Sequence, residues 1–405
     1  MSGLGAEIGE LALPALALIT LGATAAEASW VRAALLAPFL VFTLWFGVIV
    51  DRGARRPLMI SADIVRGSTL VVVCLLALWG WLTIPLLVVA TAALGTMTVL
   101  YQLADFSFLP HIVPERHLID ANAKITATQS VIQVAGVGVG GALVQLLTAP
   151  IAVVVNALGY LSSALLIGRV RVVEPRPTTP GHRSALSEAR AGLRVLLAHR
   201  ILRALAAEAS LWNFGNEIFM LALAVHVLTG MAAGPLVLGL IVTCGGVGAF
   251  IGSVLSARMT ARYGYGRSLL ASLVLGNTAP LLGMLGVALA PAGILPALGA
   301  AFLFSGIGSG VANSQSTSIR QIAVSGDLRG RVNAAYRLAS WGALSIGALL
   351  GGVLATVLGP IVAAIVGTAL MALATLPVAL SPVRRVRMIG SIQSFGMSSH
   401  CCPAA

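Results

Sequence analysis

Charge is what this sequence has least of. Only 9% of its 405 residues are Asp, Glu, Lys or Arg, against 58% hydrophobic, and mean hydropathy is +0.98. Soluble domains carry roughly a quarter charged residues, so no water-exposed globule can be built from this composition. Lysine is nearly missing: Lys124 stands alone beside the arginines. The net charge of +12 does not describe a nucleic-acid-binding face, because the basic residues lie in short clusters between apolar runs. Cysteine is scarce as well. Cys74 and Cys244 fall inside apolar runs and Cys401 and Cys402 close the C-terminal tail, which leaves no disulfide framework. No Gly-x-x-x-x-Gly-Lys-Ser/Thr loop occurs, so nothing suggests an ATPase. No clustered His or Asp motif supports a membrane enzyme, and we expect no enzymatic activity, no cofactor and no bound metal. A basic leader is absent too, and the first apolar stretch contains Glu7 and Glu10, so the first span is expected to insert and stay.

What is present is a succession of apolar runs of the length, about 20 residues, that crosses a bilayer. Twelve spans are expected, at residues 4–21, 30–50, 58–79, 82–104, 121–147 and 150–168, then 204–228, 235–257, 268–290, 293–316, 333–358 and 360–380. The fold class is therefore all-α integral membrane, with twelve transmembrane helices in two six-helix halves. The halves are residues 1–168 and 204–380. Residues 169–203 form a linker in which Leu186, Leu193, Leu196 and Leu197 oppose Arg190, Arg194 and Arg200, an interfacial amphipathic helix. Residues 381–405 are a tail whose Ser398 to Ala405 end resembles a prenylation box at Cys402 only formally; a disordered tail is the simpler reading, and a His400-Cys401-Cys402 metal site is the remote one. All basic residues but Arg32 fall on or beside alternate loops or the tail, which places both termini in the cytoplasm. The uncharged run of the first span, Leu11 to Ala26, is short for a full crossing, so this helix reads as truncated.

An internal repeat is visible in the numbering. Asn122, Gly136, Gly140 and Gly141 recur as Asn333, Gly347, Gly351 and Gly352 at an offset of 211, and Pro150 and Ile151 recur as Pro360 and Ile361 at 210. Two six-helix repeats of the same orientation are related by an axis along the membrane normal, with a binding site expected near mid-membrane.

The loop after the second span reads Gly47-Val-Ile-Val-Asp51-Arg52-Gly53-Ala54-Arg55-Arg56. Physically, Gly47 would let a neighbouring helix approach, Asp51 can face a positive helix end, and Arg52, Arg55 and Arg56 hold the loop at cytoplasmic headgroups. This loop resembles the major facilitator superfamily signature Gly-x-x-x-Asp-Arg-x-Gly-Arg-Arg/Lys, with Ala54 at its second glycine. The resemblance covers essentially the whole chain and implies that Gly47, Asp51, Arg52, Arg55 and Arg56 form a cytoplasmic latch that breaks and re-forms as the halves rock. Gly252 and Ser256 in the second half are an eroded echo, with serine at the aspartate position. Gly136, Gly140 and Gly141 are similar to the superfamily's antiporter motif Gly-Pro-x-x-Gly-Gly, with Val137 at the proline; they read equally well as small-residue helix packing. Asp63 to Arg66, Leu109 to Glu115, Ser318 to Gln321 and Gly330 to Ala334 look like the actinobacterial drug and macrolide efflux branch.

Intramembrane carboxylates are costly and are candidate sites by default. Asp63 and Arg66, one turn apart, are expected to satisfy each other, and Asp105 to cap the fourth span. Glu7 and Glu10 in the first span, and Glu208 and Glu217 in the seventh, are the transport or proton-coupling candidates, with Asn213 one turn before Glu217 making that residue the first choice. The resemblance implies a monomeric secondary transporter in a bacterial plasma membrane, exporting small amphiphilic or drug-like compounds against protons or another coupling ion. A non-transporting receptor or sensor that keeps the fold is the alternative. The expected partners are the substrate, the ion and the lipid bilayer, with no nucleic acid.

Overall fold

The computed structural model describes residues 2–112, 128, 132, 136, 139–146, 149–170, 185–230, 234–289, 294–323 and 326–385. Among these every regular element is helical. We label the α-helices α1 Ser2–Ala15, α2 Ala25–Arg52, α3 Arg55–Leu78, α4 Ile84–Ile112, α5 Ala149–Arg169, α6 Ala185–Ala198, α7 Arg200–Val225, α8 Pro235–Tyr263, α9 Tyr265–Leu289, α10 Ile294–Ala323, α11 Gly326–Val357, α12 Pro360–Leu373 and α13 Thr375–Ala379. Ten helices of the described residues are long and apolar enough to cross a membrane. The first span adds α1 and a π-helical turn, Leu16–Thr20. The expected span at 121–147 lies largely outside the described residues, as do the linker from 171 to 184 and the tail from 386.

Several helices run past their apolar runs. The second was expected from residue 30 and starts at Ala25, because Thr24 and Glu27 form a capping box: Glu27 N–H donates to Thr24 Oγ1 at 3.2 Å and Thr24 N–H donates to Glu27 Oε2 at 2.8 Å. The fourth continues to Ile112, so Asp105 sits inside a helix and does not cap it. Helical hydrogen bonds need no lipid, and hydropathy marks where the bilayer ends, not where the helix does.

The chain forms two compact units. The first comprises residues 1–185 with 220–243 and 348–362. Here α1 packs on α5, α3 on α4 and α5, and α2 on α4, around a core that includes Ile8, Leu16, Leu70, Leu87 and Val153. The second unit comprises residues 186–219, 244–347 and 363–405. In it α9 packs on α10, and Ile201, Leu205, Leu269, Leu273 and Ile319 are buried together. Large apolar side chains stand exposed on both units, Val89, Leu165 and Leu282 among them, as a surface solvated by acyl chains requires. Within α6, Leu196 is buried, whereas Leu193 and Leu197 are exposed beside exposed Arg190 and Arg194.

The repeat seen in the numbering is carried by the contacts. In the first unit a Cβ at Gly95 would strike the Leu35 carbonyl oxygen; in the second, 211 and 210 residues later, a Cβ at Gly306 would strike the Gly245 carbonyl oxygen. Gly136 lies against Glu7, with 2.5 Å between the Cβ positions, and Gly347 lies against Glu217 at 3.2 Å. Gly141 packs on Pro235 and Gly239, and Gly352 on Ala25 and Ser29. Each repeat also ends its first span in a π-helical turn, Leu16–Thr20 and His226–Gly230, and the two turns touch within the first unit. Sequence similarity this faint persists because glycine is the residue that lets backbones approach at those crossings.

Candidate functional site

The cavity that gathers the most chemistry lies inside the second unit, has a volume of about 350 Å³, and is walled by α7, α9, α10 and α11. Glu208 and Asn213 of α7 both line it. Asn277 on α9 donates its amide to Glu208 Oε1 at 3.4 Å and to Thr375 Oγ1 at 3.1 Å, so the carboxylate is held from one side by a neutral amide. Asn213 Nδ2 donates to the Ser340 carbonyl at 2.8 Å, tying α7 to α11.

Two arginines face the same space. Arg320 on α10 donates to the Ser316 carbonyl at 3.4 Å, Thr317 Oγ1 at 3.1 Å and Asn333 Oδ1 at 3.5 Å, and its guanidinium lies 3.8 Å from the Tyr336 ring centroid. Arg337 on α11 stacks 4.7 Å from the Trp341 ring centroid. Trp212 of α7 lines the cavity as well, and its indole Nε1 is buried without a hydrogen-bond acceptor among the described residues. The sequence singles out Arg320 only within the Ser318 to Gln321 stretch and does not mark Arg337, Trp212 or Trp341, because arginines near the ends of spans read as topological signals.

Glu217, the first choice from sequence, is not among the residues that line this cavity. It is 4% exposed, stands against Gly347 and is engaged by the protein. The reason is helical geometry: nine residues is about two and a half turns, so Glu208 and Glu217 leave α7 on opposite sides. Glu7, its counterpart in the repeat, stands against Gly136 and is likewise engaged. The side chain of Glu10 lies outside the described residues.

At the loop expected to form the latch, the side chains of Asp51 and Arg52 also lie outside the described residues. Among the described residues nothing comes within 4 Å of a Cβ placed at Gly47, whereas at Gly252, in the echo, a Cβ would strike the Ile307 carbonyl. Close approach is therefore seen at the second-half glycine. Arg56 does more than face headgroups: it donates to the carbonyls of Ile167, at 3.1 Å, and Gly168, binding the C-terminal end of α5 where the helix dipole favours a cation. Asp63 and Arg66 form the expected buried ion pair within α3. Gly140 and Gly141 meet the backbones of Ile8 and of Pro235 and Gly239, so this glycine run is used for close helix packing in the first unit.

Just before α7, His199 is buried and its Nδ1 accepts the Leu202 N–H at 3.4 Å. Burial holds its pKa below the ordinary histidine value.

Comparison with known proteins agrees with this architecture. A family model described as transmembrane secretion effector matches residues 1–399. An uncharacterised MFS-type transporter, y4rN of Sinorhizobium fredii strain NBRC 101917 / NGR234, is 26% identical over 242 residues, and the matched stretch spans only 57% of this chain and 57% of that relative's length. A bacterial homologue of the iron transporter ferroportin superposes with a TM-score of 0.72 at 16% identity, covering 94% of this chain and 96% of the other. The nucleoside transporter NupG superposes with 0.71 at 10% identity, over 94% and 97%. A bacterial homologue of the human lysosomal transporter Spinster gives 0.67 at 14% identity, over 100% and 97%.

Proposed function

The chain belongs to the transmembrane secretion effector family of MFS-type transporters, and we propose that within it the protein is a secondary exporter of small amphiphilic, drug-like compounds driven by a proton gradient. It is a multi-pass membrane transporter and not an enzyme. The observation that carries the finer reading is the cavity of α7, α9, α10 and α11, where Glu208 shares a space of about 350 Å³ with aromatic walls. A small cavity lined by aromatics with a few placed polar groups suits an amphiphile, and a carboxylate held, among the described residues, by a neutral amide can exchange a proton as the cavity wets and dries. We take both termini to be cytoplasmic in a bacterial plasma membrane, the two halves to rock about the site, and the transporter to act as a monomer.

Uptake of an amphiphilic dye into inverted vesicles, with and without an imposed proton gradient, tests this. Wild-type vesicles should accumulate dye only with the gradient. Glu208→Gln keeps the shape and the amide contact but cannot release a proton, so accumulation should fall to passive leak. Glu217→Gln, off the cavity, should leave most of it. The reverse order would move coupling to Glu217 and its repeat partner Glu7.

Asp51→Asn removes the latch charge with little change of volume. Export should drop severely at equal membrane abundance, and unchanged export by this variant would remove Asp51 from the cycle.

A further inference from the structure

The charge inside the cavity is not what a cation exporter would need. Among the described residues Glu208 is its single carboxylate, set against two guanidinium groups, Arg320 and Arg337, so this lining is cationic whether or not Glu208 carries a proton. The two arginines differ in what they have left to give. Arg320 is largely engaged: neutral oxygens of Ser316, Thr317 and Asn333 take three of its five N–H donors and Tyr336 covers its face. Arg337 has Trp341 beneath it and, among the described residues, no acceptor for its N–H groups. The buried indole N–H of Trp212, in the same lining, also lacks one among the described residues. A buried donor without an acceptor, as at Trp212, is costly, and the half-buried Arg337 keeps its N–H groups open to the cavity; a ligand that supplies acceptors satisfies both.

We infer that this cavity selects organic anions: an aromatic or otherwise flat apolar body packed on Trp212 and Trp341, with a carboxylate or similar oxyanion on Arg337. The inference rests on the reading of the cavity as the substrate site and narrows its substrate class. A guanidinium offers a planar pair of donors that matches an oxyanion, and stacking on Trp341 fixes its plane. A cationic amphiphile would meet two guanidiniums against one carboxylate, so the same groups exclude it.

The test is calorimetric binding to the purified full-length protein of three ligands with one ring system: 2-naphthoate, 2-naphthylmethanol and 2-naphthylmethylammonium. Naphthoate should bind about tenfold more tightly than the alcohol, the worth of one charge-assisted hydrogen bond, and the ammonium more weakly than either. Arg337→Gln should bring naphthoate and the alcohol to the same affinity, while Arg337→Lys keeps a preference for the anion. Should Arg337→Gln not fold, Trp212→Phe serves instead, since losing the indole donor should weaken naphthoate and spare the ammonium. Ammonium binding as tight as naphthoate, an anion preference that survives in Arg337→Gln or is undiminished in Trp212→Phe, or no naphthoate binding, would overturn the inference. Binding needs no gradient. Naphthoate binding without vesicle transport would retire the exporter reading alone, whereas transport with no charge preference would retire this inference alone.

Discussion

Replacing Asp63 by alanine is expected to remove most of the folded protein from the membrane. The carboxylate is fully buried, and it pairs with Arg66, itself 3% exposed. That guanidinium lies between the rings of Tyr101 and Tyr160, 4.4 and 4.2 Å from their centroids, with Thr98 Oγ1 at 3.5 Å. Alanine at 63 leaves the arginine in place without its counter-ion, and breaking a buried pair from one side costs about 3 to 5 kcal/mol. The aromatic rings soften this only partly, since a desolvated cation–π contact is worth about 2 kcal/mol. Thermal unfolding in detergent, followed by size exclusion, reads the loss. Asp63→Leu combined with Arg66→Met should recover much of it, because the same space is then filled with apolar groups. An Asp63→Ala protein as stable as wild type would show that the pair contributes nothing.

The second large effect has opposite signs at two glycines. Alanine is the better helix former by about 1 kcal/mol, so a helical Gly→Ala change stabilises wherever the methyl fits. At Gly286 the nearest neighbour of such a methyl is Ala297 Cβ at 3.9 Å, an ordinary contact, and Gly286→Ala should raise the unfolding temperature. At Gly306 the methyl would overlap the Gly245 carbonyl oxygen, and Gly248, Gly252 and Gly310 are closed in the same way by Leu303, Ile307 and Ala249. Backbone cannot swing aside as a side chain does, so α8 and α10 must separate along their length. Gly306→Ala should therefore destabilise, and Gly306→Leu should cost about 3 kcal/mol or more. Both measurements use the same unfolding assay, and a stabilised Gly306→Ala would refute the close crossing.

The glycines also explain how much of the repeat could be read beforehand. Gly136, Gly141, Gly347 and Gly352 stand out at a shared offset because their positions admit nothing larger. The match of Gly95 with Gly306 was missed: one partner of that crossing is Leu35 and the other Gly245, since a carbonyl oxygen is what is contacted and any residue supplies one. The Asp63–Arg66 pair was legible for a different reason, being three residues apart on one helix and needing no tertiary information.

The sequence by itself determined that this is a many-span helical membrane protein, that it repeats, and which carboxylates fall within its apolar runs. Composition, run length and charge spacing are properties of the chain, and the bilayer reads them span by span. Only the tertiary structure decided which of those carboxylates share a cavity. Glu208 and Glu217 are equivalent in composition and span, and the direction each side chain leaves α7 has meaning only once α9, α10 and α11 are placed around it. Four of the groups that give the cavity its character, Arg320, Arg337, Trp212 and Trp341, come from three helices, with Trp212 more than a hundred residues before the other three. No local pattern brings them together; the close glycine crossings of the second unit do, by setting how near those helices can stand.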